Sequence, residues 1–442
     1  MRDDTRSAIA FPAIGTRFFW SGMGNLNRRL TAWCCFCADS GDSKEVDLAI
    51  EACGTVQASA EIEVAAATEK SLVTSRLIRP RLDGLTTLRF LAAFHVILFH
   101  LKVQGILTGG PWWYQNFAGI GYIGVNFFFV LSGFILVYTY SSDDLDPKRF
   151  WTARFARIYP AYVLSLALTL PGFLFALQHL NLPFYVWSQQ HFTLAAFSTL
   201  MLLQAWVPQG ALSWNPVCWS LSVEAFFYSL FPFILRRTKT SLLRKLLLGI
   251  AFFSLISLVT SVAYVVFHPD GAARINSSEV TLYWKNVLSF NPIVRLPEFM
   301  VGMFSGRLFL SGRVKDQLGS IFILCGAAII ATLTAIATRI PNPLISAGFL
   351  SPAFAAIILG VALQPRWVRI LAFKPCVLLG EASYSLYLLH SFVMEHAFDA
   401  TQRLPHGIRV MVCVVGAVGA SLICYLLIEE PGRRFLRPKT GV

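Results

Sequence analysis

Two ionisable side chains on one face of an apolar helix are the first sign of chemistry in this chain. In LRFLAAFHVILFH, Arg89 stands at the mouth of an apolar run and His100 lies deep within it. Their separation of eleven residues, at about 100° each, ends about 20° past three full turns, so both side chains share one stripe. His95 points elsewhere. Ionisable groups in a membrane span are costly and usually face a polar interior, so an aligned pair marks a candidate functional site. The plainer alternative is a histidine satisfied by a neighbouring helix's backbone.

The rest of the chain must supply that interior. Of 442 residues, 55% are hydrophobic and 14% charged, with 37 Phe and 11 Trp, a balance that excludes a soluble domain of this size. The formal charge of +13 would suit nucleic acid only if the basic residues gathered on one solvated face. Instead they sit in short loops between apolar runs, the positive-inside pattern of a polytopic membrane protein, and no nucleic-acid partner is expected.

Apolar runs predict ten spans, at 85–104, 121–140, 158–178, 217–235, 243–267, 287–306, 317–338, 345–363, 377–398 and 408–428. An eleventh apolar run, FTLAAFSTLMLLQAW at 192–206, reads as an interfacial or re-entrant helix. Were it a span, the basic segment around Arg236, Arg237, Lys239, Arg244 and Lys245 would lie outside. With this choice Lys148, Arg149, Arg154, Arg157, Arg366, Arg369 and Lys374 face the cytoplasm, as does the tail with Arg433, Arg434, Arg437 and Lys439. Few basic residues, Arg274 among them, remain outside. The expected fold is all-α: a polytopic membrane helix bundle with about ten transmembrane helices, a short interfacial or re-entrant helix, and both termini cytoplasmic.

Residues 1–80 contain no spanning run and read as a disordered cytoplasmic extension, with the membrane domain at 81–440. Cys34, Cys35 and Cys37 lack a paired CxxC and a nearby His, so no metal site is expected. Cys218, Cys376, Cys413 and Cys424 lie in or beside apolar runs and read as small core residues. No cleavable signal peptide is evident.

At 1.5 Å per residue, His100 lies roughly 22 Å from the cytoplasmic start of its helix, His390 roughly 20 Å from the start of its own, and Glu224 about 10 Å below the outer face. These depths assign the three to one layer. A carboxylate beside an imidazole suits proton abstraction from a hydroxyl, because it orients the ring and stabilises the imidazolium. The plainer alternative for Glu224 is a protonated carboxyl bonded to a helix carbonyl, which burial favours. Tyr384 and Tyr387 can hold His390 as a packing group. Ser220, in the segment of Glu224, is a further candidate.

Arg295 and Glu298 stand three apart on one helix and read first as a self-neutralising structural pair, second as a ligand contact. Arg154 and Arg157 have the same spacing and can clamp an anionic phosphate bidentately; membrane topology and anionic lipid explain them as well.

Arg89 with His100, GVNFFFVLSGF, RFARIYPAY, WSLSVEAFFY, RLPEFMVGM, GEASYSLYLLH and IEEPGRRFLR occur in that order from about Leu82 to Arg437. Together they resemble the acyltransferase-3 family of integral membrane acyltransferases, in the stand-alone form without a fused esterase-like domain. The resemblance implies a membrane O-acyltransferase of the cytoplasmic (inner) membrane. Such an enzyme moves an acyl group, commonly acetyl, from cytoplasmic acyl-CoA to a hydroxyl of a cell-surface or lipid-linked glycan, with no bound cofactor. It also implies that His100 is the catalytic histidine, Arg89 its motif partner, and Arg154 and Arg157 the contacts to the CoA phosphates. Two alternatives stay open: an acyltransferase acting on a glycosylated small molecule such as a macrolide, and a non-enzymatic transporter using the buried His and Glu for proton coupling.

Overall fold

The computed structural model describes residues 80–141, 145–238, 242–271 and 282–436. The N-terminal extension with Cys34, Cys35 and Cys37, and the basic residues Lys239, Arg274, Arg437 and Lys439, lie outside the described residues.

The described elements are all helical. In chain order they are α1 (Asp83–Val103), α2 (Trp112–Gly119), α3 (Ile123–Tyr140), α4 (Pro147–His179), α5 (Pro183–Gln190) and α6 (Phe192–Leu200). There follow α7 (Trp219–Arg237), α8 (Leu243–Phe267), α9 (Tyr283–Phe290), α10 (Pro292–Leu310), α11 (Gly319–Ile336) and α12 (Asn342–Ser346). The last are α13 (Ser351–Ala362), α14 (Lys374–Glu381), α15 (Ser383–Ala400), α16 (His406–Cys424) and, after a π-helical turn at Tyr425–Glu429, α17 (Glu430–Leu436).

Among the described residues, eight helices are long and apolar enough to cross a membrane, and nine if the bent pair α14 and α15, inclined by 66°, forms one span. The expected span at 287–306 corresponds to the end of α9 and most of α10, whose Arg295, Glu298 and Arg307 make it too polar to qualify on composition alone. The run at 192–206 forms only the nine-residue α6 and a 3-10 turn at Gln204–Trp206. At roughly 14 Å, α6 is too short to span a hydrocarbon core.

Two elements differ from the apolar-run boundaries. α4 begins at Pro147, eleven residues before the expected start at 158, because the Asp146 side chain accepts from the Lys148 amide at 3.0 Å and proline occupies the first helical turn. Arg154 and Arg157 therefore project from a continuous 33-residue helix. The expected span at 345–363 is present as Asn342–Ala362 but is interrupted between α12 and α13, where Gly348 has a φ of +87°, a conformation that glycine adopts without a Cβ clash. The break frees the Ser346 carbonyl for side-chain donors.

α3 is central: 72% of its spanning window is buried, against 17% for α8 and for the helix containing α11. The latter two present apolar faces, including Phe252, Leu255 and Val259 on α8, where lipid would lie. α3 packs most closely on α10, with Gly302 against the Val130 carbonyl oxygen and Gly133 against that of Phe299. A Cβ at either position would overlap the facing backbone, so small residues set the approach of these two helices.

Gly302→Leu is therefore expected to destabilise the bundle by about 1–3 kcal/mol or more through overpacking. Gly172→Leu, at a position where a Cβ meets nothing within 4 Å, should leave the protein unaffected. Thermal unfolding of the detergent-solubilised protein checks both; equal melting temperatures would contradict the packing assigned to α3 and α10.

Candidate active site

A cavity of about 260 Å³ opens among α1, α3, α4, α7 and α15. α1 contributes Arg89, α4 contributes Arg154 and Arg157, and α7 contributes Ser220, Glu224 and Tyr228. Ser132 of α3 and Ser383, Tyr384 and Tyr387 of α15 complete its polar wall, while Phe128, Phe129 and Leu136 supply apolar surface. The cavity occupies the end of the bundle at which α1, α4 and α15 begin.

Its charges are mixed. Arg89 and Arg157 lie within electrostatic reach of each other and of two carboxylates, Glu224 and Glu429. Arg154 donates from Nη2 to the Tyr140 hydroxyl at 2.9 Å, and its guanidinium lies 5.5, 5.7 and 5.9 Å from the ring centroids of Tyr140, Phe150 and Tyr228. Tyr228 faces Glu224, one helical turn away on α7. Glu429 is buried in the π-helical turn and accepts from Ser385 Oγ at 2.8 Å. Three guanidinium groups against two carboxylates leave room for an anionic ligand whose oxygens replace water around the arginines.

His100 does not line this cavity. It lies eleven residues beyond Arg89 on α1, about 16 Å along the axis. There it faces His390, with ring centroids 4.9 Å apart. Between the cavity and this pair stands Tyr387, whose ring centroid is 6.1 Å from that of His390 and 6.2 Å from that of Phe128. The Tyr387 hydroxyl donates to the Val217 carbonyl at 2.8 Å and accepts from Ser220 Oγ at 2.8 Å. Ser220 thus helps fix the tyrosine that closes the inner end of the cavity.

The single layer of His100, Glu224 and His390 expected from span depths is divided in two. His100 and His390 are brought together; Glu224 lies with the arginines, and no hydrogen bond or ion pair joins it to His100 among the described residues. The physical reason is where α7 starts. Asn215 Nδ2 donates to the Leu388 carbonyl at 3.3 Å, and a 3-10 turn at Pro216–Cys218 leads into α7. The helix therefore begins inside the bundle, level with the middle of α15, and carries Glu224 toward the arginine end.

Arg295 and Glu298 also lie apart from the cavity lining. Both are 1% exposed, with Arg295 Nη1 3.0 Å from Glu298 Oε1. Arg295 also donates to the Ser346 carbonyl at 2.5 Å and to Asn126 Oδ1 at 2.7 Å, and Asn126 Nδ2 donates to the same carbonyl at 3.1 Å. The pair fastens α10, α3 and the break after α12. Cys218, Cys413 and Cys424 are buried, whereas Cys376 is only half-buried. Tyr228 and Glu429 escaped the sequence reading. Tyr228 was legible from its four-residue spacing to Glu224; Glu429, at the end of an apolar run, reads as an ordinary solvated boundary.

The bundle of apolar helices around a charged cavity has counterparts among known proteins. The family described as an acyltransferase domain matches residues 82–429, and the chain belongs to this acyltransferase-3 family. Over 383 residues it is 26% identical to O-acetyltransferase OatA of Staphylococcus aureus (strain NCTC 8325 / PS 47), covering 81% of this chain and 58% of that protein. It is 28% identical to acyltransferase MdmB of Streptomyces mycarofaciens over 379 residues, 80% of this chain and 92% of MdmB. With exopolysaccharide production protein ExoZ of Rhizobium meliloti (strain 1021) it shares 26% identity over 323 residues, 71% of this chain and 89% of ExoZ. The chain thus spans little more than half the length of OatA. No solved structure matches it. By helix composition the protein is a multi-pass membrane protein, and its described helices lie within this family's domain.

Removing one partner of the buried pair on α10 leaves the other charge uncompensated, so Arg295→Met or Glu298→Met alone should cost about 3–5 kcal/mol, and the double substitution markedly less. Unfolding of the three purified variants checks this. Equal losses in single and double variants would show that the charges do not compensate each other.

Proposed function

We propose that the protein transfers an acyl group, acetyl in the first instance, from cytoplasmic acyl-CoA to a hydroxyl of a cell-surface or lipid-linked glycan, and that it works in the cytoplasmic membrane. The observation that carries this proposal is an arginine-bearing cavity at one end of α1 and an imidazole pair toward the other, divided by Tyr387. Acyl-CoA has the matching polarity: anionic phosphates at one end, a narrow uncharged arm, and a thioester at the tip. The chain's similarity to OatA, an O-acetyltransferase, and to ExoZ, an exopolysaccharide production protein, supports oxygen acylation and a glycan acceptor.

The donor enters from the cytoplasmic end with its phosphates on Arg154, Arg157 and Arg89, and its arm passes Tyr387 toward His100. The acceptor hydroxyl approaches from the opposite side. Its oxygen attacks the thioester carbonyl carbon while its proton passes to a ring nitrogen of His100. The carbon–sulfur bond then breaks, and the departing CoA thiolate takes that proton as free thiol. Glu224 serves the donor end, where its carboxylate lies between the electrostatic fields of Arg89 and Arg157 and keeps both ordered before phosphate arrives.

Transfer of labelled acetyl from acetyl-CoA into the envelope glycan of membrane vesicles tests the roles. His100→Ala should insert normally and lose about 10²- to 10⁴-fold in rate; retained transfer would overturn the assignment. Arg154→Ala and Arg157→Ala should raise the donor KM in a salt-sensitive way. Glu224→Gln should also act on donor KM. A fall in kcat alone would instead return Glu224 to the orientation of His100.

A further inference from the structure

His390 is completely buried. Its Nδ1 lies 2.8 Å from the carbonyl oxygen of Tyr387 and 3.2 Å from that of Leu386. Carbonyl oxygens only accept, so Nδ1 carries the proton, and in the neutral ring Nε2 is an acceptor alone. Among the described residues Nε2 has no hydrogen-bond partner.

Back-bonding to the helix is common here: His179, His191 and His396 each place Nδ1 near the carbonyl four residues earlier. Those three residues are exposed, so their second nitrogens are not sealed inside the bundle. His390 differs in having its second nitrogen sealed from solvent, and a buried acceptor left open is costly unless a group comes to it. The ring facing it is His100, at 4.9 Å between centroids and 54° between planes. An N–H···N bond of about 2.9 Å between two imidazoles puts their centroids roughly 5 Å apart. The observed spacing suits such a bond after a small rotation of His100, whose other ring neighbour is Phe99 at 5.2 Å.

We propose that His390 is a positioning residue for acyl transfer: its Nε2 accepts the N–H of His100 and holds that ring in the tautomer whose other nitrogen takes the acceptor's proton. The proposal rests on the assignment of His100 as the base. His390 performs here the task that a carboxylate performs in other His-dependent sites, without burying a second charge in an apolar bundle. When His100 becomes imidazolium, the N–H···N bond becomes charge-assisted and strengthens as the proton arrives.

Kinetics of the full chain in membrane vesicles, with labelled acetyl-CoA as donor, test the proposal. His390→Leu should lower kcat by about 10- to 100-fold, the usual loss for a partner that orients an active-site histidine, with the donor KM unchanged. His390→Gln, whose amide oxygen accepts near the position of Nε2, should recover most of that loss. Full kcat in His390→Leu, or a His390→Gln protein as slow as His390→Leu, would overturn the positioning role. An inactive His100→Ala beside a fully active His390→Leu would overturn only this proposal, whereas an active His100→Ala would overturn the base itself. A nitrogen-15 spectrum of the histidine-labelled full chain, with the His390 signals identified by their loss in His390→Gln, decides independently of folding in the Leu variant. Protonation at Nδ1 with Nε2 as acceptor is expected, and an Nε2–H tautomer would overturn the proposal.

Discussion

Placing charge inside an apolar bundle is the constraint on which the rest of this structure depends. Each buried ionisable group must be paired, bonded to backbone, or set against space that a ligand or water can fill. The protein uses all three solutions, and they separate its parts. Arg295 and Glu298 neutralise each other and, through Asn126 and the freed Ser346 carbonyl, fasten the break after α12 to α3 and α10. Arg89, Arg154 and Arg157 instead face a cavity. His100 and His390 stand in a third environment, ring to ring.

The backbone arrangement serves the same division. Close contact of Gly302 with α3 brings the most buried helix against α10, so α3 can wall the cavity with Val125, Phe128 and Ser132 while its other faces are held rigidly. α4 starts early and carries two arginines into the cavity. α7 starts late and sets Ser220 on Tyr387 and Glu224 among the guanidinium groups. The charged lining of the cavity follows from where these two helices begin.

Much of this was legible in the sequence. Apolar runs gave most helices, with α8 at its expected limits of 243 and 267, and Arg89 and His100 lie on one helix, α1, as their shared apolar run implied. One boundary and one interruption were missed because the decisive signals were local: Asp146 with Pro147 for the start of α4, and Gly348 for the break inside the span Asn342–Ala362, neither of which changes the hydropathy of a long window. The error over Glu224 has another origin. Depth counted from the membrane face assumes that α7 begins there, but a tertiary hydrogen bond from Asn215 to the Leu388 carbonyl anchors its start within the bundle. Sequence spacing fixes the relation of residues within one helix; only packing fixes the level of one helix against another.

The most direct measurement is a structure of the full chain in a lipid nanodisc with an acetyl-CoA analogue bearing a ketone in place of the thioester, so that no transfer occurs. The phosphates should contact Arg154 and Arg157, and the carbonyl carbon should lie beyond Tyr387 within reach of His100. Phosphates bound away from these arginines, or a carbonyl held on the Glu224 side of Tyr387, would contradict the account.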